Sequence, residues 1–178
     1  SLALPLGLMH TCALVGSSGI LSSGSKRYSK DIDSHDVVVR FGTPKLDIDV
    51  SGVKTTILSI NPSLSILLDN SETENQMIEG MQKLIKDYKA DILSIPCHPK
   101  YQFELCFEKL KVLRRSGRFS NVTYMSTTYR NAAGKYLNAT RTIPEGKLFT
   151  SGLQYLPFLL GSCTVVDVYG IWPFQRDC

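Results

Sequence analysis

No long apolar run occurs in the 178 residues. The longest, such as Leu2 to Leu8, fall far short of the roughly 18 residues a spanning helix needs, so no segment is expected to cross a bilayer. An initiator methionine and a signal-peptide pattern are both missing, and the start at Ser1 reads as that of a cut fragment. Strong charge of either sign is missing too. Twenty Lys+Arg against 16 Asp+Glu leave +4, too little to indicate a nucleic-acid partner and compatible with an anionic small substrate. Histidine is scarce: His10, His35 and His98 are the three, and none has metal-ligand spacing with a second histidine or a cysteine. Cys97 and His98 are the one adjacent pair, and adjacency disfavours shared ligation, so no metal site is expected. There is no internal repeat, low-complexity tract or linker long enough to divide domains. The length and a hydrophobic content of 43% suit one domain with a core of its own.

What is present alternates between two periodicities. Thr11 to Val15 is an apolar run ending at Gly16, and Asp36 to Phe41 carries three consecutive valines; both read as buried strands. Lys54 to Ile60 predicts a third strand, Asp91 to Ile95 a fourth stopped by Pro96, Asn121 to Met125 a fifth and Thr164 to Tyr169 a last. Between them, Glu72 to Lys89 places Met77, Met81, Leu84, Ile85 and Tyr88 at helical spacing. Gln102 to Arg115 does the same with Phe103, Cys106, Phe107, Leu110 and Leu113, and Gly117 follows as a stop signal. Arg130 to Glu145 is polar and reads as loop or short helix; Ser151 to Ser162 reads as a helix. Pro157 inside that helix removes one backbone bond and crowds the preceding turn, which predicts a later start or a kink. Strands alternating with helices imply an α/β layered domain with a mostly parallel sheet.

Several small-residue turns could carry chemistry. Gly16-Ser17-Ser18-Gly19 follows the first strand, where small residues let backbone N–H groups approach an anion or a ribose. The dinucleotide fingerprint is not met because Ser18 stands at its second glycine, and the Walker lysine is missing, which excludes a P-loop. On its own the turn reads equally as a tight strand exit. Thr150-Ser151-Gly152 opens the last helix and suits either a phosphate or an ordinary N-cap. Asn61 is either a strand-end ligand contact or a turn residue before Pro62; Trp172, the only tryptophan, either walls a pocket or fills the core. His35 reads as a structural polar contact rather than a base. The five cysteines, Cys12, Cys97, Cys106, Cys163 and Cys178, fit free thiols or bridges. Asn121-Val122-Thr123 and Asn138-Ala139-Thr140 are glycosylation sequons; Asn61-Pro62-Ser63 is blocked by its proline.

Two longer segments gather these features. Cys12 to Pro44 reads CALVGSSGILSSGSKRYSKDIDSHDVVVRFGTP, and Leu148 to Phe174 reads LFTSGLQYLPFLLGSCTVVDVYGIWPF. Together they resemble the large (about 12–45) and small (about 148–174) sialylmotifs of the animal-type sialyltransferases, glycosyltransferase family 29. The ending YGIWPF, with INPS at Ile60 to Ser63, is most similar to the α2,8 branch, and the resemblance runs from about Cys12 to Asp177. It implies a Rossmann-like fold of the GT-A-variant sialyltransferase type, C-terminally incomplete, with residues 1–178 forming a single partial catalytic domain. It implies inverting transfer of sialic acid from CMP-sialic acid to a sialylated glycan acceptor on glycoproteins or glycolipids. Neither metal nor cofactor is needed, and nucleic acid plays no part.

By the same resemblance Ser17, Ser18, Gly19, Gly42, Asn61, Thr150, Ser151, Gly152 and Trp172 line the donor site. Cys12 pairs with Cys163, closing a very long loop, and Asn121 and Asn138 carry glycans in an oxidising lumen. The native protein is then expected in the Golgi lumen as a single-pass type II membrane protein, its anchor outside this chain. Ser17 and Gly42 stand where the family has asparagines, which implies weaker or altered nucleotide binding. The family's histidine base and a histidine-tyrosine-rich motif lie downstream of the aromatic ending, so no catalytic residue is assigned here and this chain by itself is expected not to turn over. The alternative is a catalytically inactive relative that binds a CMP-sugar or is purely structural.

Overall fold

The computed structural model describes residues 9–16, 21, 27–60, 73–95, 103–119, 121–124, 127–139 and 151–171. In chain order the elements are β1 (Met9–Val15), α1 (Ser29–Ser34), β2 (Val37–Phe41), β3 (Ile57–Ser59), α2 (Glu74–Tyr88) and β4 (Ile92–Ile95). They continue with α3 (Phe103–Arg115), β5 (Val122–Tyr124), α4 (Thr127–Ala139), α5 (Ser151–Ser162) and β6 (Cys163–Tyr169). The six strands form one sheet in the order β5-β4-β3-β2-β1-β6, and every neighbouring pair is parallel. This is a Rossmann-like α/β fold with flanking helices. The first five strands step outward one place at a time, and β6 then returns to the far side of β1. The direction of winding therefore reverses at the β1–β6 seam.

Side-chain alternation along the strands assigns the helices to faces. Cys12, Leu14, Val37, Val39, Phe41 and Ile57 pack with Tyr155 and Leu159 of α5, and Tyr129 of α4 joins them. Ala13, Val15 and Val38 point the other way, against Ile32 of α1. On that same side Leu58, Leu93, Ile95 and Val122 meet Met77, Ile78 and Met81 of α2 and Leu110 and Leu113 of α3. Helices α1 to α3 thus cover one face, and α4 and α5 the other. Helix α2 starts at a capping box in which Thr73 and Gln76 bond each other's backbone N–H, and ends at Lys89 in the left-handed region.

Parallel neighbours need a crossover, usually a helix. Residues 42–56, between β2 and β3, contain none. Their backbone groups are satisfied by side chains instead. Arg40, fully buried on the α1 face, donates to Ser51 O at 2.8 Å and to Lys54 O at 3.0 Å. Asp33 of α1 accepts from the N–H groups of Val53 and Lys54. Burial pulls the Arg40 guanidinium down from its ordinary value, and the Asp33 carboxylate opposes that shift. Tyr88 of α2 donates to Pro44 O at 2.9 Å and holds the other end of the segment.

The elements follow the expected alternation with local differences. The second strand ends at Phe41 as expected and begins one residue later, at Val37. Strand β3 is shorter than Lys54 to Ile60, because the N–H and carbonyl of Lys54 are taken by Asp33 and Arg40. The polar stretch before β2 contains the short helix α1. Where Arg130 to Glu145 reads as loop or short helix, α4 is a 13-residue helix from Thr127 to Ala139. Helix α5 runs through Pro157 without interruption. The Tyr129 hydroxyl of α4 donates to Gln154 O at 3.0 Å and ties the two helices together next to the Leu153 carbonyl, the one that Pro157 deprives of its helical donor.

The Cys12 sulfur, on the α5 face of β1, is bonded to that of Cys163 at the α5–β6 junction, with Cα atoms 6.1 Å apart and 151 residues between them in sequence. By the chain-entropy relation a loop of that length stabilises by about 5 kcal/mol. Reduction, or replacement of both cysteines by alanine, is expected to lower unfolding stability by about that much, read as a fall in the urea midpoint.

Asp36 ties β1 and β2 together at the amino-terminal end of the sheet. Its carboxylate accepts from Thr11 N at 2.9 Å and His10 N at 3.1 Å. The Thr11 backbone bond is the main cause of its lowered pKa. A carboxylate lowered on folding stabilises above the ordinary carboxylate range and loses that contribution as pH falls through the lowered value. Asp36→Asn is therefore expected to be less stable than the parent at pH 7, with the gap closing below about pH 4 in thermal melts across pH.

Candidate ligand crevice at the sheet reversal

In open parallel α/β sheets, ligands bind outside the carboxyl ends of the strands where the winding reverses. Here that point lies between β1 and β6. Val15 pairs with Tyr169, and Gly16 N donates to Tyr169 O at 2.8 Å, so the chain leaves both strands side by side. The two following residues are glycines for a steric reason. A Cβ on Gly16 would overlap the Gly170 carbonyl and lie 2.8 Å from Ile171 Cγ1. Gly170 has φ +62°, and a Cβ there would lie 2.5 Å from Leu21 Cδ1.

The first turn of α5 closes over this seam. A Cβ on Gly152 would sit 3.5 Å from the Phe41 ring and 3.6 Å from Ile171 Cδ1. Gly152 therefore lies above the ends of β2 and β6 together. The first N–H groups of a helix have no partner within it and favour an anion. Gly42 follows β2 at the same edge. It has φ +69°, its N–H donates to Ser59 O at 2.9 Å, and a Cβ built on it would meet nothing within 4 Å.

The residues expected at a donor site divide accordingly. Gly42 and Gly152 are brought to the crevice edge, as is the backbone of Ser151. Ser17, Ser18, Gly19, Asn61, Thr150 and Trp172 lie outside the described residues, as do Cys97, Cys178 and the side chains of Ser151, Cys106 and Asn138. Asn121 is exposed just before β5, and the backbone of Asn138 lies near the end of α4. Gly170, Ile171, Phe41 and Tyr155 contribute to the crevice without having stood out in the sequence. Their signal was the strand-end position of each glycine, which acquires meaning only when β6 is known to lie beside β1.

His35 is taken up structurally. Its Nδ1 lies 2.7 Å from Asp31 O and its Nε2 2.9 Å from an Asp167 carboxylate oxygen. The carbonyl can only accept, so Nδ1 carries a proton, and the ring ties α1 to β6. His10 is at the amino-terminal end of β1, away from the crevice, where its backbone N–H donates to Asp36. Among the described residues no three His, Cys, Asp or Glu side chains are grouped to hold a metal ion, and no described helix is long and apolar enough to cross a membrane.

Beneath α5 the crevice floor is aromatic and hydroxylic. Phe41, Ser59, Ser94 and Thr123 are register partners across β2 to β5. Tyr155 lies over them, its ring 5.5 Å from Phe41 and tilted by 60°, its hydroxyl donating to Ser94 Oγ. Burial raises the Tyr155 pKa against the Ser94 and Ser59 hydroxyls, so the phenol stays a neutral donor. Ser59 Oγ itself makes no close hydrogen bond among the described residues.

A parallel sheet whose winding reverses at a glycine-lined seam, with the first turn of a helix beside it, defines the Rossmann-like class of α/β protein. Residues 6–178 match the family described as glycosyltransferase family 29 (sialyltransferase), and the chain belongs to that family. It is 26% identical over 175 residues to an alpha-N-acetylneuraminide alpha-2,8-sialyltransferase of Xenopus laevis, covering 95% of this chain and 46% of the relative. It is also 26% identical over 173 residues to the mouse (Mus musculus) alpha-2,8-sialyltransferase 8F, covering 94% and 42%. The chain thus spans about half the length of the curated relatives it matches. A crystal structure of a mammalian sialyltransferase aligns at TM-score 0.56 with 20% identity, covering 94% of this chain and 56% of that one. A second, in complex with Gal-beta-1-3GalNAc-ortho-nitrophenol, aligns at TM-score 0.55 with 21% identity, covering 94% and 57%. At these identities the structures share the fold.

The close approach of Gly16 and Gly170 yields a direct test. Gly16→Ala is expected to destabilise by about 1–3 kcal/mol, because the added methyl meets backbone that cannot rotate away. Gly80→Ala, in mid-α2 with nothing within 4 Å of its Cβ, is expected to be neutral or to stabilise by up to about 1 kcal/mol. Urea denaturation of the two variants checks the contrast.

Proposed function

We propose that the chain forms the donor-binding half of a sialyltransferase that moves sialic acid from CMP-sialic acid to a sialylated glycan, forming an α2,8 linkage with inversion. The observation that carries this reading is the crevice itself: Gly16 and Gly170 meet at the sheet reversal, Gly152 of the first turn of α5 lies against Ile171 and Phe41, and Gly42 stands open at the end of β2. Backbone approach and unpaired helix N–H groups suit the CMP phosphate. They also favour the charge that grows on it as the bond between the anomeric carbon and the phosphate oxygen breaks. The acceptor hydroxyl attacks the opposite face of that carbon and gives its proton to a general base. Neither described histidine is placed for that role: His35 is bonded at both ring nitrogens, and His10 is at the amino-terminal end of β1. We assign the base outside these 178 residues, with the chain by itself binding the donor without turnover. The α2,8 linkage follows the named activity of the relatives. No metal takes part in this reading, and the setting is the oxidising Golgi lumen, with a type II anchor outside this chain and glycans on Asn121 and Asn138.

A second reading, a relative that binds the CMP-sugar without transferring it, is favoured by Gly42. The resemblance places an asparagine there, and the space for its side chain stands open. Asparagine tolerates a φ of +69° better than most residues, so Gly42→Asn is sterically admissible.

Titration with CMP, followed calorimetrically, tests both readings. The parent chain is expected to bind, and Gly42→Asn to bind about two- to tenfold more tightly, the worth of one added hydrogen bond. No binding by either protein overturns the donor-site assignment. Binding by the full-length protein without transfer to any sialylated acceptor selects the second reading.

A further inference from the structure

The Tyr155 hydroxyl is more than the packing of α5 requires. Tyr155 is 2% exposed and Ser94 is 1% exposed, so their hydrogen bond is wholly buried. A phenylalanine would fill the same space against Phe41 without needing a partner. A buried hydroxyl pair instead fixes position, because a small slide of the helix would break the bond and leave both groups unsatisfied.

The geometry shows what is being fixed. Tyr155 is one turn after Gly152 on α5. Its ring tilts against Phe41, and the same Phe41 ring meets the Gly152 position at 3.5 Å. Phe41, Ser59 and Ser94 form one row across three strands. The helix is thus anchored at β4, two strands beyond the β2 end where its first turn rests. Apolar contacts with Phe41 and Ile171 set the height of that turn. The disulfide holds the far end of α5 and Tyr129 ties Gln154 to α4, and the hydroxyl bond to β4 is the tie between the first turns of α5 and the sheet beneath.

We infer that Tyr155 and Ser94 are a positioning pair which sets the register of the first turn of α5 over the crevice and thereby the affinity for the anionic ligand held there. This inference rests on the donor-binding reading for its ligand, and on the fold alone for the positioning.

The test uses the full chain as Tyr155→Phe, Ser94→Ala and the double variant, with CMP as probe. Three quantities are read: the CMP dissociation constant, the melting temperature, and hydrogen exchange of the amides at positions 155 and 156, which close the first turn of α5 by bonding back to the Ser151 and Gly152 carbonyls. Each single variant is expected to weaken CMP binding about three- to tenfold, and the double variant no further, because the pair acts as one unit. Ser94→Ala alone leaves the phenol only the neighbouring Ser59 hydroxyl and should melt lowest. The double variant strands neither group, so it should regain melting temperature without regaining affinity. First-turn exchange should rise in all three.

Affinity that returns together with melting temperature in the double variant would reduce the pair to packing and overturn the proposal. If the parent does not bind CMP, the donor-binding reading falls by itself and exchange decides the rest. Unchanged exchange at positions 155 and 156 in Tyr155→Phe would then overturn positioning as well.

Discussion

The seam between β1 and β6 is the constraint on which the rest of this structure depends. β1 is buried from Cys12 to Val15 and paired on both sides, with β2 along one edge and β6 along the other. The chain must wind out through four strands and return across the whole sheet before β6 can be placed. Hydrogen bonds alone would make that return a late, long-range closure with a large entropy cost. The Cys12–Cys163 bond makes it covalent and places the α5–β6 junction against β1. With β6 in register, Gly16 and Gly170 come together, and the crevice exists only because they do.

The two faces of the sheet then separate structure from site by a single residue step. Arg40 and Phe41 are neighbours on β2 and point to opposite faces. Arg40 goes inward to the α1 face and satisfies the carbonyls of a crossover that has no helix, with Asp33 satisfying the N–H groups. Phe41 goes to the α5 face and supports Gly152 and Tyr155. A buried guanidinium is tolerable because its partners are fixed in advance and a carboxylate stands near. His35 plays a similar part at the seam, with α1 on one ring nitrogen and β6 on the other. The polar network thus serves the fold on one face. The aromatic and hydroxyl row serves the crevice on the other.

Much of the fold was legible because burial imposes periodicity. The valines of β2 and the spaced apolar residues of α2 named their elements directly. For α4 the sequence left loop and short helix both open, because its polar composition hides the apolar side on which Tyr129 joins the core beneath α5. Pro157 does not delay the start of α5, because propensity is local, whereas the helix is held by its packing on the sheet and by Tyr129 of another helix. Of the site, the turns at Gly42 and Gly152 were visible as small residues at element ends. Phe41 and Tyr155 read only as core, and nothing local marks a core residue as one that also positions a turn.

The sequence by itself determined the alternation of strand and helix, the places where the chain must turn, and the family. Each of these depends on the identity or spacing of residues near one another in the chain. Only the tertiary structure decided that β6 lies beside β1, that Gly16 faces Gly170, and that Tyr155 reaches Ser94. Those facts depend on strand order and on which side chains share a face after 60 to 150 residues of intervening chain. No local pattern encodes that distance. It is fixed by packing, by backbone pairing across the sheet and by one covalent bond.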